Sequence, residues 1–471
     1  MKLAAVIFLL FNSFLAQAQP VTQRLQAAWK TFENDVQLRH AISSLYVIDA
    51  KTGEVVFDKN AQIGLAPAST QKIITSVTAF ELLGKDFRFQ TKLGYQGTIS
   101  RRRLNGRIFI LPSGDPTFGS WRYANTGTSA ITDKFINAVK KLEVDTVSYL
   151  AYVDDSRFEV NNIPDRWIWQ DLGNYYGAAP FPLNWRENQY TVYLKSGKKV
   201  GDEVNITGTE PGLYNSAEMI PALQSGKKGS GDNAYIYLPI GSSPAYITGT
   251  IPVEENRFGI SGAFVNPVTE FQSTLTDGLR QKGVFAKFSL ENMFNTGQEF
   301  PAITEKNSTI IYTHYSPALD SIIYWFNKKS INLYGEALVK AVALEKQGFA
   351  STDSGVALIK RFWKTKGLDE DELNMYDGSG LSPMNRVTTH AQVEILKFAK
   401  TRPWFPYFLN SLPLYNGITM KSGTIGDVKG FCGYHKAKDG REYIFSLLVN
   451  NYSGATSGLV GKMYKLLDEL K

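Results

Sequence analysis

The sequence predicts a mixed α/β chain of the α+β type. One domain is assembled from both ends and a long β-rich segment is inserted between them. Three observations carry that expectation. The opening stretch alternates a helical period, a hairpin and a second helical period. From about Asp86 to Phe300 the texture changes to short strands separated by turn residues. From Ser316 helices return, and the chain closes on a hairpin and a helix. At 471 residues the chain is also too long for one hydrophobic core.

Taken in order, Val21 to Asp35 reads as a helix. Ala41 to Asp49 and Glu54 to Asp58 read as two strands turning through Lys51-Thr52-Gly53. Ala66-Pro67-Ala68-Ser69-Thr70-Gln71-Lys72 then opens an apolar helical run ending at Gly84, with Pro67 placed where proline fits a helix start. In the middle segment, strands are expected at Phe89–Tyr95, Arg107–Leu111, Val147–Val153, Gln189–Tyr193, Ala234–Tyr237, Ala245–Thr250 and Ala286–Leu290. Helices are expected near Ala130–Leu142 and Val268–Lys282, and Arg101-Arg102-Arg103 reads as an exposed hairpin loop. Further on, helices are expected at Pro317–Asn327, Leu333–Gln347, Ser354–Thr365 and His390–Lys400. A hairpin turning at Asp439-Gly440 and a helix from Ser457 to Leu470 end the chain. The division that follows is a leader at 1–18, a discontinuous domain from 19–85 and 301–471, and an inserted region at 86–300 of one or two subdomains.

The leader has a short basic start at Lys2, an apolar run from Leu3 to Leu15 and an A-x-A site at Ala16-Gln17-Ala18. This is a cleavable secretory signal peptide, which predicts export to a bacterial periplasm or cell envelope. No later stretch is apolar enough for a transmembrane helix. Cys432 is the only cysteine, so no internal disulfide and no cysteine-based zinc site is expected. Asn205-Ile206-Thr207, Asn307-Ser308-Thr309 and Asn451-Tyr452-Ser453 match a glycosylation pattern that is inert in such a host. The formal charge of +7 is modest for this length and excludes a nucleic-acid footprint. His40, His314, His390 and His435 lack metal-ligand spacing, so no metal or organic cofactor is implied.

Chemistry concentrates in three short stretches. Ser69 and Lys72 stand three apart at a helix start, so they share a face and the amine can meet the hydroxyl. A serine hydroxyl needs such a base, and a lysine can act as one when burial or a neighbouring cation lowers its pKa. The helix start also supplies N–H groups where negative charge develops on a carbonyl oxygen. Alone, S-x-x-K is weak. It is joined by Ser330-Ile331-Asn332 opening the Leu333 helix, and by Lys421-Ser422-Gly423-Thr424 at a strand start. Together they match S-x-x-K, S-x-N and K-[TS]-G in order.

With these motifs, Ser113-Gly114-Asp115-Pro116-Thr117, Val153 to Phe158, Tyr175 to Ala179 and Asp377 to Ser382 with Asn385 to Thr388 complete a resemblance. The chain resembles the class C low-molecular-mass penicillin-binding proteins, the D-Ala-D-Ala carboxypeptidase/endopeptidase family of penicillin-recognising serine enzymes. The resemblance implies a β-lactamase/transpeptidase-like domain with an antiparallel sheet flanked by helices. It implies that Ser69 attacks the carbonyl between two D-alanines, Lys72 is the acylation base, Ser330 relays a proton to the leaving group, and Asn332 holds the substrate amide and Lys72. Lys421 would lower the pKa of Lys72 and help dock a carboxylate, which Thr424 binds by its hydroxyl. The N–H groups of Ser69 and Thr424 would form the oxyanion hole. Ser422 stands where threonine is commoner in the family, and it keeps the hydroxyl; with Gly423 it belongs to the substrate-binding strand. The implied partners are peptidoglycan stem peptides and β-lactam antibiotics, with no nucleic acid. Oligomeric state and peripheral membrane contact stay open.

Plainer readings stand beside these. Ser330 fits the N-cap of the Leu333 helix. Asp377 to Ser379 reads as a structural turn. Asp115 is either a ligand for the free amino group of a diamino-acid side chain or part of an Asp-Pro turn. The rival functions are a β-lactamase or esterase with the same triad, and a non-catalytic wall-binding scaffold.

Overall fold

The strand Ile42–Asp49, near the start of the chain, pairs antiparallel with Glu442–Asn450 near its end, from Ile42 opposite Asn450 to Asp49 opposite Tyr443. That pairing joins the two terminal segments in one six-stranded antiparallel sheet. Its order is Leu414–Tyr415, Ile418–Ile425, Val428–Lys436, Glu442–Asn450, Ile42–Asp49 and Val55–Lys59. The structure is a computed structural model and describes residues 20–214, 218–239, 244–287 and 301–471. The predicted leader at 1–18 lies outside the described residues, as does most of the predicted strand Ala286–Leu290, of which Phe285–Ala286 is described.

Each face of this sheet has its own core. Alternation puts Leu45, Val47, Met420, Phe431, Phe445 and Leu447 on one side, under Leu25, Trp29, Met463 and Leu467 of the two terminal helices Val21–Glu33 and Thr456–Leu467. Ile48, Cys432, Ile444 and Leu448 face the other way, onto Ile73, Ile74, Val77 and Phe80. The helix Lys72–Leu83 is buried on every side from Lys72 to Phe80. An all-round buried helix must satisfy its polar side chains internally. Thr78 donates to Ile74 O at 2.7 Å and accepts from Trp363 Nε1 at 2.8 Å. Thr75 donates to Gly378 O at 2.6 Å.

The middle of the chain forms three further sheets over a separate core built round Phe118, Phe135, Trp185 and Phe271. The largest runs Phe285–Ala286, Thr146–Val153, Arg103–Leu111, Gln90–Ser100 and Ser308–Tyr315. Ser308–Tyr315, which the sequence division left with the terminal segments, is therefore an edge strand of the inserted unit, antiparallel to Gln90–Ser100. Sequence reading also missed the strands Asn205–Glu210, Met219–Gly226 and Phe258–Ala263. Gly208, Pro221 and Gly259 interrupt their patterns, which reads as turn rather than strand.

Candidate active site

Three elements converge on Ser69. It lies not in the α-helix proper but in a 3₁₀ turn, Ala68–Gln71, which feeds the helix beginning at Lys72. Ala68 has φ +46°, a left-handed setting that an L-residue adopts only under constraint from its surroundings. The strand Ile418–Ile425 passes against this turn at Gly423. A Cβ there would lie 2.6 Å from Pro67 O and 2.8 Å from Ser69 N, so only glycine permits the approach.

The third element is the helix Asn332–Gln347. The N-cap reading of Ser330 is corrected here. The cap residue is Ile331, and no side chain closes the helix start. Ser330 has φ +56° and turns its hydroxyl toward Lys421, whose Nζ donates to it at 3.0 Å.

Lys72 is the centre of the arrangement and is completely buried. Its Nζ donates to Ser69 Oγ at 2.9 Å, Asn332 Oδ1 at 2.7 Å and Ser379 O at 2.7 Å. Burial drives its pKa well below the usual lysine range, and the nearby Lys421 adds to the effect. Glu336 and Asp377 oppose it. Lys421 is equally buried and its pKa falls to about 7, mainly from burial. Asn332 is oriented from the inserted unit, its Nδ2 donating to Tyr176 O at 2.7 Å.

The Asp377–Ser379 turn is structural, as its residue types suggest, and it also holds the lysine. The Asp377 carboxylate accepts from Gln71 Nε2, Gly380 N, Ser382 N, Asn385 Nδ2 and Trp167 Nε1, at 2.6 to 3.0 Å. Those bonds fix the loop whose Ser379 carbonyl receives Lys72.

Ser69, Ser330, Asn332 and Thr424 open on a cleft of about 810 Å³. Gln170, Asp171, Tyr175, Tyr176 and Gln189 of the inserted unit form its opposite wall. Two sequence expectations fall elsewhere. Ser422 pairs with Phe431 on the face of the terminal helices, and its hydroxyl lies 3.5 Å from Tyr415 Oη rather than in the cleft. Asp115 is also absent from the cleft wall. Its Oδ1 accepts from Thr117 N at 2.8 Å and Thr117 Oγ1 at 2.6 Å, the Asp-Pro turn of the plainer reading. Among the described residues its Oδ2 has no hydrogen-bond partner, and His314 Nε2 lies 3.9 Å away.

The carboxylate that does reach the cleft is Asp171, whose pKa burial lifts to about 6, with the Tyr176 hydroxyl opposing. Sequence reading passed over it, although it lies four residues before the Tyr175-Tyr176 pair that carried part of the resemblance. A second missed group joins the two units. The buried Glu187 carboxylate accepts from Ser120 Oγ, Arg122 Nε and, at 2.8 Å, the Tyr334 hydroxyl on the Asn332 helix.

The family model for the D-Ala-D-Ala carboxypeptidase 3 (S13) family matches residues 25–465. The chain belongs to this family. Among S13 relatives, it is 26% identical over 447 residues to the D-alanyl-D-alanine carboxypeptidase of Actinomadura sp. (strain R39), covering 89% of this chain and 80% of the relative. It is 24% identical over 425 residues to D-alanyl-D-alanine carboxypeptidase DacB of Haemophilus influenzae, covering 85% and 83%. In fold the chain is similar to penicillin binding protein 4 (dacB) from Haemophilus influenzae, with a TM-score of 0.76, 19% identity and coverage of 95% of this chain and 99% of that one. Among the described residues, no helix is long and apolar enough to cross a membrane, and no group of three His, Cys, Asp or Glu side chains is placed to hold a metal ion.

Proposed function

We propose that this chain is a serine D-Ala-D-Ala carboxypeptidase that trims peptidoglycan stem peptides through an acyl-enzyme on Ser69, with endopeptidase cleavage of D-Ala crosslinks as a second activity of the same site. The observation that carries this is the fully buried Lys72, held between Ser69 Oγ and Asn332 Oδ1 at 2.9 and 2.7 Å.

Neutral Lys72 takes the Ser69 proton as Oγ attacks the carbonyl carbon of the penultimate D-alanine. The oxyanion is received by the N–H groups of Ser69 and Thr424, an effect typically worth about 3–4 kcal/mol. The proton passes by way of Ser330 to the departing D-alanine nitrogen, and the C–N bond breaks. Lys421 and Thr424 hold the carboxylate of the leaving residue. Water then attacks the ester and returns the proton to Ser69. A β-lactam enters by the same first step, its ring amide opening on Ser69.

The role first considered for Asp115 fits Asp171 instead. A carboxylate in the cleft wall suits the free amino group of a diamino acid in the stem. Family membership supports work at the bacterial envelope. The predicted leader assigns the mature chain to the periplasm, starting near Gln19.

The test is release of D-alanine from a pentapeptide stem together with trapping by penicillin. Release with a persistent single adduct supports the proposal. Rapid drug loss without an adduct supports the β-lactamase or esterase reading. Neither adduct, drug loss nor D-alanine release leaves the wall-binding scaffold.

A further inference from the structure

One sheet of the inserted unit turns an aromatic face to solvent. Its order is Met219–Gly226, Ala245–Pro252 and Asn233–Tyr237. One side packs Leu223, Ile236, Ile247 and Ile251 into the core of the unit. Alternation turns Tyr235, Tyr237, Tyr246 and Ile220 to the other side, with Tyr246 paired between Tyr237 and Ile220. Tyr235 is 39% and Ile220 45% exposed, whereas the free face of a sheet covered on one side is ordinarily polar. The rings are held in place. Tyr237 and Tyr246 stack with centres 5.2 Å apart, and Trp169 closes on them at 4.8 and 6.0 Å. Trp169 Nε1 donates to Leu238 O at 3.0 Å, yet the residue is 38% exposed.

This face continues the catalytic cleft, because Tyr235 and Tyr175 both line it. The other outward positions are Ala222, Gln224, Thr248, Thr250 and Asn233, none of them charged. Such a surface does not suit a polyanion, and its interleaved amides and hydroxyls do not suit a lipid. It suits a sugar. A pyranose ring stacks its C–H face on an aromatic ring while its hydroxyls meet polar side chains at the rim. The substrate carries sugar to this place. The scissile bond of a five-residue stem is four residues from the sugar that bears the stem, at most about 14 Å of extended chain. With the scissile bond at Ser69, the sugar therefore rests near the rim of the same cleft.

We propose that the face formed by Tyr235, Tyr237 and Tyr246, with Trp169, docks the glycan strand from which the stem peptide hangs. Stacking on these rings seats the stem in the cleft, so stems still joined to glycan are preferred over free peptides. The proposal rests on the acyl-serine reading above.

The experiment compares D-alanine release from a disaccharide-pentapeptide and from the same pentapeptide without sugars, in wild type, Y246A, Y246F and W169A. In wild type the sugars lower KM. In Y246A and W169A that advantage shrinks about five- to tenfold, the scale of one aromatic contact, while Y246F keeps the ring and retains it. Thermal unfolding identifies the folded variants, and W169A carries the comparison if Y246A does not fold. Equal KM for the two substrates on wild type, or an equal loss for both in the variants, overturns the proposal. A wild-type dimer that Y246A dissolves assigns the face to a second copy and also overturns it. No D-alanine from either substrate on wild type overturns the acyl-serine reading. Co-sedimentation with glycan strands stripped of their stems then decides the docking surface by itself: weaker binding by Y246A than by wild type upholds it, and equal or absent binding overturns it.

Discussion

Lys421 Nζ donates to Ser330 Oγ at 3.0 Å, and the same ammonium helps to lower the pKa of Lys72. One cation thus serves two parts of the site. In the proposed mechanism it polarises the serine nearest the leaving group and, with burial, favours the neutral form of the lysine beside Ser69.

The pH dependence of Ser69 acylation follows from these two lysines. Lys72 must be neutral to act as base, so the rate rises with pH as Lys72 loses its proton. Lys421 must be charged to dock a carboxylate, and its pKa is about 7, so the rate falls as pH rises past that region. The profile is bell-shaped, with limbs belonging to the coupled pair. Lys421→Gln removes the repulsion, raises the Lys72 pKa and moves the ascending limb to higher pH. Second-order acylation constants measured across pH check this; an ascending limb that stays in place contradicts it.

Gly423→Ala places a methyl group 2.8 Å from Ser69 N and 2.6 Å from Pro67 O. The strand and the 3₁₀ turn must separate, which displaces the Ser69 N–H from the oxyanion site. Acylation is expected to fall on the order of 100-fold, the scale of a misplaced catalytic geometry. Wild-type acylation kinetics in a folded G423A would refute the close approach.

Asp171→Asn tests the cleft wall apart from the chemistry. For a stem peptide with a free side-chain amino group, KM rises about tenfold with kcat little changed. Acetylating that amino group removes the difference between variant and wild type, and penicillin acylation is the same in both. A fall in kcat for both peptides would assign Asp171 another role.

Asp115→Asn has its effect on stability. Burial lifts the Asp115 pKa from 3.8 to about 6, so ionisation is less favourable folded than unfolded. Wild-type stability from this group is highest below pH 4 and declines as pH rises toward 6. The amide removes that decline, so D115N is more stable than wild type by roughly 2–3 kcal/mol above pH 6 and near equal at pH 4. Urea unfolding at the two pH values measures it, and acylation by penicillin is expected to be unchanged. A large loss of acylation would return Asp115 to the site.

Much of this was legible in sequence because the residues that do chemistry are local motifs with fixed spacing. Ser69 with Lys72, Ser330 with Asn332, and Lys421 with Thr424 each declare a turn and a face. What joins the motifs was not legible. The K-[TS]-G motif marks Gly423, but not that a Cβ there would lie 2.8 Å from Ser69 N. The Tyr176 carbonyl that orients Asn332 is backbone and leaves no side-chain signal. Asp115 follows Ser113-Gly114 and Asp171 follows Trp169-Gln170, and only packing decides which carboxylate reaches the cleft. Of the two readings of Ser330, the helix cap rested on Ser before an apolar run, the usual cap signature; here Ile331 takes the cap position and the Ser330 hydroxyl is turned to Lys421. The motif sets Ser422 with Thr424 on the substrate-binding strand, but its hydroxyl lies 3.5 Å from Tyr415 Oη, and Ser422 is not among the residues that line the cleft.

The measurement that bears most directly on the account is intact mass after brief exposure to a penicillin, for wild type and Ser69→Ala. A single persistent adduct on wild type, absent from the alanine variant, is the predicted result. An adduct of equal yield on both proteins, or none on wild type, would contradict it.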